Sequence, residues 1–369
     1  MKQKSDKESD WRILGGHRKD IDEVDGQILS LLSRRQEIAA EIGKLKRDLG
    51  FEIMDHAREQ EVLRRLVSNS NNNLSADAIR AIYSEIISAA RSVQQVPTVA
   101  YLGPEATFSH QAALNLYGQS STYRAAETIE EVFGLVKKGI CEWGVVPIEN
   151  SYEGSVNITL DLFYEYDLKI NAEFFLRIRH HLLSKVEDAN DIKHLYSHPM
   201  PIAQCRLWLK DHLAGIPVKE VASTSLAAML AADESGAAAI GSRLSATTYE
   251  LNILEENIED QPDNVTRFLV IGKTQQEPTG KDKTSLMFFL RHVPGALHRV
   301  LEPLEKRNVN LSRLESRPMK TRNWEYLFFV DIEGHEQDRN VSDALKEMEG
   351  YCAFMKLLGS YPAGGEPWD

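Results

Sequence analysis

Cysteine is scarce in this chain. Its 369 residues include three, Cys141, Cys205 and Cys352, far apart and with no CxxC pair. That spacing supports neither a disulfide framework nor a zinc site, and reduced thiols in a cytoplasmic protein are expected. Positive charge is in deficit as well: Lys plus Arg number 43 against 55 Asp plus Glu, a net −12. A general nucleic-acid binder needs a basic footprint, so no nucleic-acid partner is expected. Any anionic ligand must be gripped by a few locally clustered cations. Long apolar runs are missing too. The most apolar stretch, residues 226–240, is broken by Asp233, Glu234 and Gly236, far short of the roughly 18 residues a membrane span needs. The N-terminal MKQKSDKESDWRILGG has no apolar core and does not read as a secretory signal. What remains is ordinary globular stock, 42% hydrophobic and 27% charged, at a length that suggests two or three domains of roughly 150 residues.

Three textures follow one another. Residues 17–96 hold almost no strand pattern. Ile21, Val24, Ile28, Leu31, Leu32, Ile38, Ile42, Leu45 and Leu49 keep a helical period, and Gly50 is its natural stop. A second helix is expected over residues 55–67. After the polar break SNSNNNLS a third runs from an N-cap at Ser75 to about residue 95. Residues 97–275 alternate: TVAYL, WGVVPI, HLYS, AAIG and VTRFLVIG read as buried strands, most followed by a polar loop and a helical run. That is an α/β pattern, with ligands expected at the carboxyl ends of strands. A polar linker, TQQEPTGKDK, leads to residues 283–360, which read as βαββαβ, the ferredoxin-like order. The first sixteen and last eight or so residues read as tails.

In the helical block the cations are informative. Arg35 and Lys46 are eleven residues apart, about 16 Å along one helix face, so long side chains can grip opposite ends of one small dianion. Arg18 lies about 25 Å from Arg35 along the same helix. It cannot join that ligand within one chain; if all three serve one site, a second copy supplies it. Asp55, Arg58 and Glu59 fall at i, i+3 and i+4 on one face, and Gln94 is four residues beyond Ala90. The competing reading is a solvated face laced with weak ion pairs. The run RKDIDEVDGQILSLLSRRQEIAAEIGKLK…MDHAREQEVL nevertheless resembles the all-helical chorismate mutase domain over the whole block. The resemblance implies a homodimer or higher homo-oligomer sharing its long helices. It also implies that Arg18 of the partner subunit and Arg35 clamp the carboxylates of chorismate, that Arg58 contacts the substrate, and that Asp55 joins Glu59 at the ring hydroxyl. Lys46 and Gln94 would donate to the ether oxygen, and Glu59 would accept from the ring hydroxyl. Ala90 stands where that family often has Ser.

In the α/β block small polar residues stand where helices begin after strands: Thr107 and Ser109, then Glu149, Asn150 and Ser151, then Ser197 and His198, then Ser223, Thr224 and Ser225. Singly each reads as an N-cap; together at one cleft they would favour carboxylates. GPEATFS, VPIENSYEGSV, SHP–AQC, STS–AA and NVTRFLVIG resemble prephenate dehydratase, a family whose two lobes close on a cleft like periplasmic binding proteins. The resemblance implies that Thr266 acts at the departing hydroxyl. Thr107, Ser109, Glu149, Asn150, Ser151, Thr224 and Arg267 would bind prephenate. His198 is either a general acid or a loop histidine. Alternation adds a condition: in a regular strand Thr266 and Phe268 face one way and Arg267 the other. Both polar residues reach the cleft only from a frayed strand start. Met200-Pro201 departs from the usual Gln-Ala.

In the last block PGAL and LSRLESRP resemble the ACT regulatory domain. The resemblance implies phenylalanine as effector at Gly295, Ala296 and Leu297, with Glu315, Ser316 and Arg317 holding the adjoining loop at a subunit interface. The whole chain resembles the bifunctional chorismate mutase–prephenate dehydratase family: an all-α block, a two-lobed α/β block and an α+β block. It would turn chorismate into prephenate and prephenate into phenylpyruvate, under phenylalanine feedback, with no cofactor and no metal. The rivals are a dehydratase that keeps its helical block only to dimerise, and a non-catalytic amino-acid sensor.

Overall fold

A computed structural model describes residues 2–50, 54, 56–70, 73–291, 293–318 and 326–368. Helix α1 (Lys2–Leu49) is 48 residues long, so residues 2–16, expected as part of an N-terminal tail, are a continuation of the helix. Nothing in that stretch forbids this: it has no proline, and elongation adds one hydrogen bond per residue fixed. The helix stops where expected, at Gly50, whose φ of 73° suits a helix C-terminus. Helices α2 (His56–Ser68) and α3 (Ala76–Ser92) fold back on it. Ser75 caps α3 by accepting the Ala78 N–H at 3.1 Å.

The next lobe is built from β1 (Thr98–Leu102), α4 (Phe108–Tyr117), β2 (Thr122–Ala126), α5 (Ile129–Lys137), β3 (Trp143–Asn150), β4 (Gly154–Ser155), α6 (Asn157–Glu165) and β5 (Lys169–Arg177). The chain then crosses into a second lobe: β6 (His181–Ser184), β7 (His194–Ser197), α7 (Pro199–Gln204), α8 (Arg206–His212), β8 (Val218–Glu220), α9 (Thr224–Asp233), β9 (Ala237–Gly241), α10 (Arg243–Thr248) and β10 (Asn252–Glu255). It returns as β11 (Val265–Gly272), which inserts between β3 and β5. The first sheet runs β2-β1-β3-β11-β5 and the second β10-β6-β9-β7-β8. Two sheets joined by two crossings make the two-lobed binding-protein architecture. The helical block is seated on the first lobe at Gly118, where φ is 67°. A side chain there would stand 2.4 Å from the Ser88 Cβ.

The last unit is β12 (Asp282–Leu290), α11 (Ala296–Lys306), β13 (Leu311–Pro318), β14 (Tyr326–Glu333), α12 (Arg339–Tyr351) and β15 (Cys352–Pro362), in the antiparallel order β13-β14-β12-β15. Alternation along β12 covers both faces of this sheet. Leu286 and Phe288 pack with Val300, Leu304 and Val341 under the two helices. Met287 and Phe289 join Phe329, Leu358 and Tyr361 in a core shared with Ile148, Leu269 and Ile271 of the first lobe. The linker therefore does not hold the two units apart: Asn171 donates to the Thr274 carbonyl at 2.7 Å, and Gln276 is buried. Nor are the last residues a loose tail. The Trp368 N–H donates to Phe175 O at 2.9 Å and its carbonyl accepts from Arg177 at 2.7 Å, which covers the free edge of β5. The three cysteines are unpaired. Among the described residues no helix is long and apolar enough to cross a membrane.

Candidate active sites

The three N-terminal helices enclose a cavity of about 590 Å³. Its wall carries Arg35 and Lys46 from α1, Arg58, Glu59 and Arg65 from α2, Arg91 from α3, and Gln94 from the turn just after α3. Five cations stand against one carboxylate, in a chain of net charge −12. Such a concentration selects a small anion, and Ile38, Ile42 and Val62 supply the apolar wall a ring needs. Arg35 is steadied by donating to Ile86 O at 3.1 Å. Helices α1 and α3 approach here because residue 43 is glycine: a Cβ would lie 2.6 Å from the Gln94 Cγ. Gln94 donates to Ala90 O at 3.2 Å. Arg58 pairs with Glu61 at 2.6 Å and holds that carboxyl below its usual range. Arg18 is exposed on α1 and is not in this wall; Asp55 lies outside the described residues.

Arg91 was not anticipated. It is nearly buried, with its Nε 3.2 Å from the Glu59 Oε1. Its Nη2 donates to the carbonyls of Leu116 and Tyr117 at 3.2 and 3.1 Å, at the end of α4 where a helix dipole favours a cation. One guanidinium thus orients Glu59 and fastens the helical block to the first lobe. The available signal was an arginine on the same face as Ile87 and Ala90, where an unpaired charge would be costly.

In the two-lobed block the carboxyl end of β3 meets the start of β11. Asn150 donates to the Thr266 Oγ at 2.9 Å and to the Asn264 Oδ1 at 2.7 Å. Its own Oδ1 accepts the N–H groups of Tyr152 and Glu153 at 3.0 and 3.2 Å. Four bonds leave that amide no freedom to turn. In this pair the Thr266 oxygen is the acceptor, so its own proton is not consumed by Asn150. Ser151 accepts the Val265 N–H at 3.0 Å and so pins the strand start. Beyond this pair a chain of contacts reaches the second lobe: Gln204 donates to Glu153 at 3.1 Å and meets the His180 Nε2 at 2.7 Å. Burial raises the Glu153 pKa. Neither Gln204 nor Glu153 was singled out from sequence.

Other expected groups have local duties. Thr107 caps α4 by accepting the His110 N–H at 3.3 Å, and Ser109 is buried in that helix. Thr224 opens α9 behind its cap, Ser223. His198 caps α7, its Nδ1 accepting the Met200 N–H at 3.3 Å, a local duty that a loop histidine performs. Ser225 and Ser245 donate to the carbonyls of Glu105 and Ala106, the latter at 3.0 Å, which ties the GPEATFS loop to the second lobe. Arg267 and Glu149 require a correction. Alternation turns the Arg267 guanidinium away from Thr266, onto the terminal sheet, and the pairing with β3 shifts register just beyond it, between Arg267 and Phe268. There it meets Asp331 at 2.6 Å and Glu173 at 2.7 Å. Burial pulls its pKa down, but Tyr361, Asp331 and Glu173 outweigh burial and hold it raised. Glu149 pairs with Arg313 at 2.7 Å. In the terminal unit Gly295 takes a left-handed φ of 74° and opens α11 through Ala296 and Leu297. Glu315 and Ser316 lie on β13, and Arg317 bonds Asp161 and the Asn157 carbonyl of the first lobe.

A pH response follows from three buried histidines. His110, His180 and His181 all have pKa values lowered from 6.5, chiefly by burial. His110 and His181 each accept a backbone N–H at Nδ1, at 3.1 and 3.2 Å. The unfolded chain binds these protons more readily, so their stabilisation is complete above about pH 6.5 and lost as pH falls below it. Calorimetry should show Tm dropping between about pH 7.5 and about pH 5.5, before carboxylates titrate.

The fold and sites define a multidomain enzyme class: a cationic helical pocket and a two-lobed cleft on one chain, with a ferredoxin-like unit docked behind the cleft. Residues 17–95 match the chorismate mutase type II family, residues 99–276 prephenate dehydratase and residues 284–350 the ACT domain. The bifunctional chorismate mutase/prephenate dehydratase of Aquifex aeolicus is 45% identical, the match covering 94% of this chain and 96% of that protein. The protein of the same description from Pseudomonas aeruginosa is 39% identical over 93% and 95%. The structure of an Arthrobacter aurescens prephenate dehydratase in complex with L-Phe shares 36% identity, covers 72% of this chain and 90% of that one, and superposes with a TM-score of 0.67. This chain belongs to the bifunctional chorismate mutase/prephenate dehydratase family, and both catalytic domains are present in it.

Proposed function

We propose that the chain rearranges chorismate to prephenate in the helical cavity, then converts prephenate to phenylpyruvate in the two-lobed cleft. Residues near 17–96, 97–275 and 283–360 would serve mutase, dehydratase and sensor. The observation that carries this reading is the concentration of five cations against one carboxylate in the helical cavity, on the same chain as the Asn150–Thr266 pair. The first reaction is a one-molecule rearrangement with no nucleophile. Catalysis there comes from holding the compact conformer and from stabilising charge at the breaking ether bond. Arg35 and the partner's Arg18 clamp the carboxylates, Lys46 and Gln94 meet the ether oxygen, Glu59 takes the ring hydroxyl, and Asp55 and Arg58 flank it. The second reaction expels carboxylate as carbon dioxide and the ring hydroxyl as water, driven by aromatisation. Thr266, oriented by Asn150, assists the leaving hydroxyl; Ser151, Thr107, Ser109 and Thr224 line the approach.

A second copy of the chain is part of this reading. Along α1, Ile21, Val24, Ile28, Leu31, Ile38, Ile42, Leu45 and Leu49 are 45–67% exposed, a stripe that calls for cover. Covering it with the same helix brings Arg18 to the cavity it cannot otherwise reach. Supplying chorismate and looking for phenylpyruvate tests the whole proposal. Accumulation of prephenate alone would leave only the mutase, and no consumption of chorismate would leave only the dimerising role.

The terminal unit is the sensor. Phenylalanine is expected to lower dehydratase turnover. Gly295→Val, which forces a β-branched residue into left-handed backbone, is expected to raise the half-inhibiting concentration at least ~10-fold, in the usual range of coupling energies. A dehydratase rate indifferent to millimolar phenylalanine would remove the sensor role.

A further inference from the structure

Two neighbouring cross-strand pairs lie where β3 and β11 run side by side: Thr266 opposite Asn150, and Arg267 opposite Glu149. Alternation sends the two pairs to opposite faces of the sheet. The first pair holds the reactive hydroxyl. The second meets the terminal unit through a dense set of charges. The two Glu149 oxygens divide between Arg267 at 3.4 Å and Arg313 of β13 at 2.7 Å. Arg267 reaches Asp331 of β14 at 2.6 Å, Glu173 of β5 at 2.7 Å and the Tyr361 hydroxyl of β15 at 3.1 Å. Glu173 also holds Lys283 of β12 at 2.8 Å, and Ser285 donates to Asp331. The three cations and three carboxylates balance. Arg267 is 4% exposed and Asp331 fully buried, so removing one partner strands a charge away from water.

Resting on the reading of Thr266 as the dehydratase hydroxyl and of the terminal unit as the phenylalanine sensor, we propose that Arg313–Glu149–Arg267–Asp331 couples the two. Glu149 and Arg267 are positioning residues that set the register of Asn150 against Thr266. Arg313 stands two residues before Glu315 on the same face of β13. A movement of that strand is passed to β3 through the 2.7 Å Arg313–Glu149 bond, while Asp331 on β14 holds β11 through Arg267. The two strands are thus loaded by different partners, β3 by Arg313 and β11 by Asp331, and are tied to each other by the 3.4 Å Glu149–Arg267 pair, one residue away from the 2.9 Å Asn150–Thr266 bond. A hydrogen bond weakens steeply with lost distance and alignment, so a small shear changes where the Thr266 proton points. The unit moves as a whole because Glu149 and Arg267 each bond more than one member of it, and Arg313 is further anchored by donating to Ser155 at 2.8 Å.

The full-length protein carrying Arg313→Gln provides the test, with dehydratase rate against phenylalanine, phenylalanine binding by equilibrium dialysis, and mutase rate as a fold check. Phenylalanine is expected to bind within about twofold of the unsubstituted protein, while the half-inhibiting concentration rises at least ~10-fold. Arg313→Lys, which keeps charge but loses the fork, should fall between. Inhibition of both variants at the unsubstituted concentration overturns the coupling. Arg267→Lys is expected to lower dehydratase kcat about tenfold with KM within about twofold; a change confined to KM would make Arg267 a substrate ligand and overturn its positioning role. If the unsubstituted protein binds phenylalanine without inhibition, the sensor reading falls and the coupling with it. If phenylalanine inhibits but Thr266→Ala turns over normally, the hydroxyl assignment alone has failed.

Discussion

Thr266→Ala is expected to lower dehydratase turnover at least ~100-fold while chorismate consumption stays unchanged. The cause is geometric. Asn150 cannot turn, because its amide is held at four points, and one of its hydrogens is committed to the Thr266 oxygen. That bond leaves the threonine proton as the donor available to a departing hydroxyl. Thr266→Ser keeps the hydroxyl and should retain most of the rate, whereas Thr266→Val keeps the shape and should not. Because Thr266 contributes nothing to the helical cavity, the mutase rate serves as the internal control on folding. Near-normal phenylpyruvate formation by the alanine variant would take Thr266 out of the mechanism.

Lys46→Ala should cost the mutase at least ~100-fold, the scale of losing a donor aimed at developing charge, with dehydratase turnover intact. Four other cations stay in the wall, so binding should weaken less than turnover falls. A mixing experiment extends the prediction to the shared site. Arg18→Ala and Lys46→Ala are each expected to be inactive as mutases. In a mixed dimer one site combines Lys46 of one chain with Arg18 of the other and is intact. Random mixing should restore about a quarter of full activity, since half the dimers are mixed and each has one good site. Mixtures as inactive as their components would show that Arg18 and Lys46 do not meet across a dimer.

Much of the architecture was legible because it rests on local rules. Gly50, Ser75 and Gly295 mark ends and starts through backbone conformation and capping, and the βαββαβ order is written in alternating runs. The cations Arg35, Lys46 and Arg58, with the neutral donor Gln94 beside them, were legible from helical spacing together with a motif. The errors, save one, share a cause. The C-terminal tail, the linker and the placing of Arg267 and Glu149 all depended on which block packs against which; the N-terminal segment alone followed a local rule, continued helix elongation. Trp368 has no local preference for an edge strand; it covers β5 because the terminal sheet delivers the chain there.

By itself the sequence determined the three blocks, the helices of the first, five buried strands of the second, the βαββαβ order of the third, and the residue types each chemistry needs, since periodicity, caps and alternation act within a few residues. Alternation even required Thr266 and Arg267 to face opposite ways. Only the tertiary structure decided what lies on each side: Asn150 and the cleft before one, Asp331, Glu173 and Tyr361 around the other. Burial supplies the reason. A guanidinium removed from water must find carboxylates, and those came from strands up to 118 residues away in the chain, a distance at which no local pattern carries information.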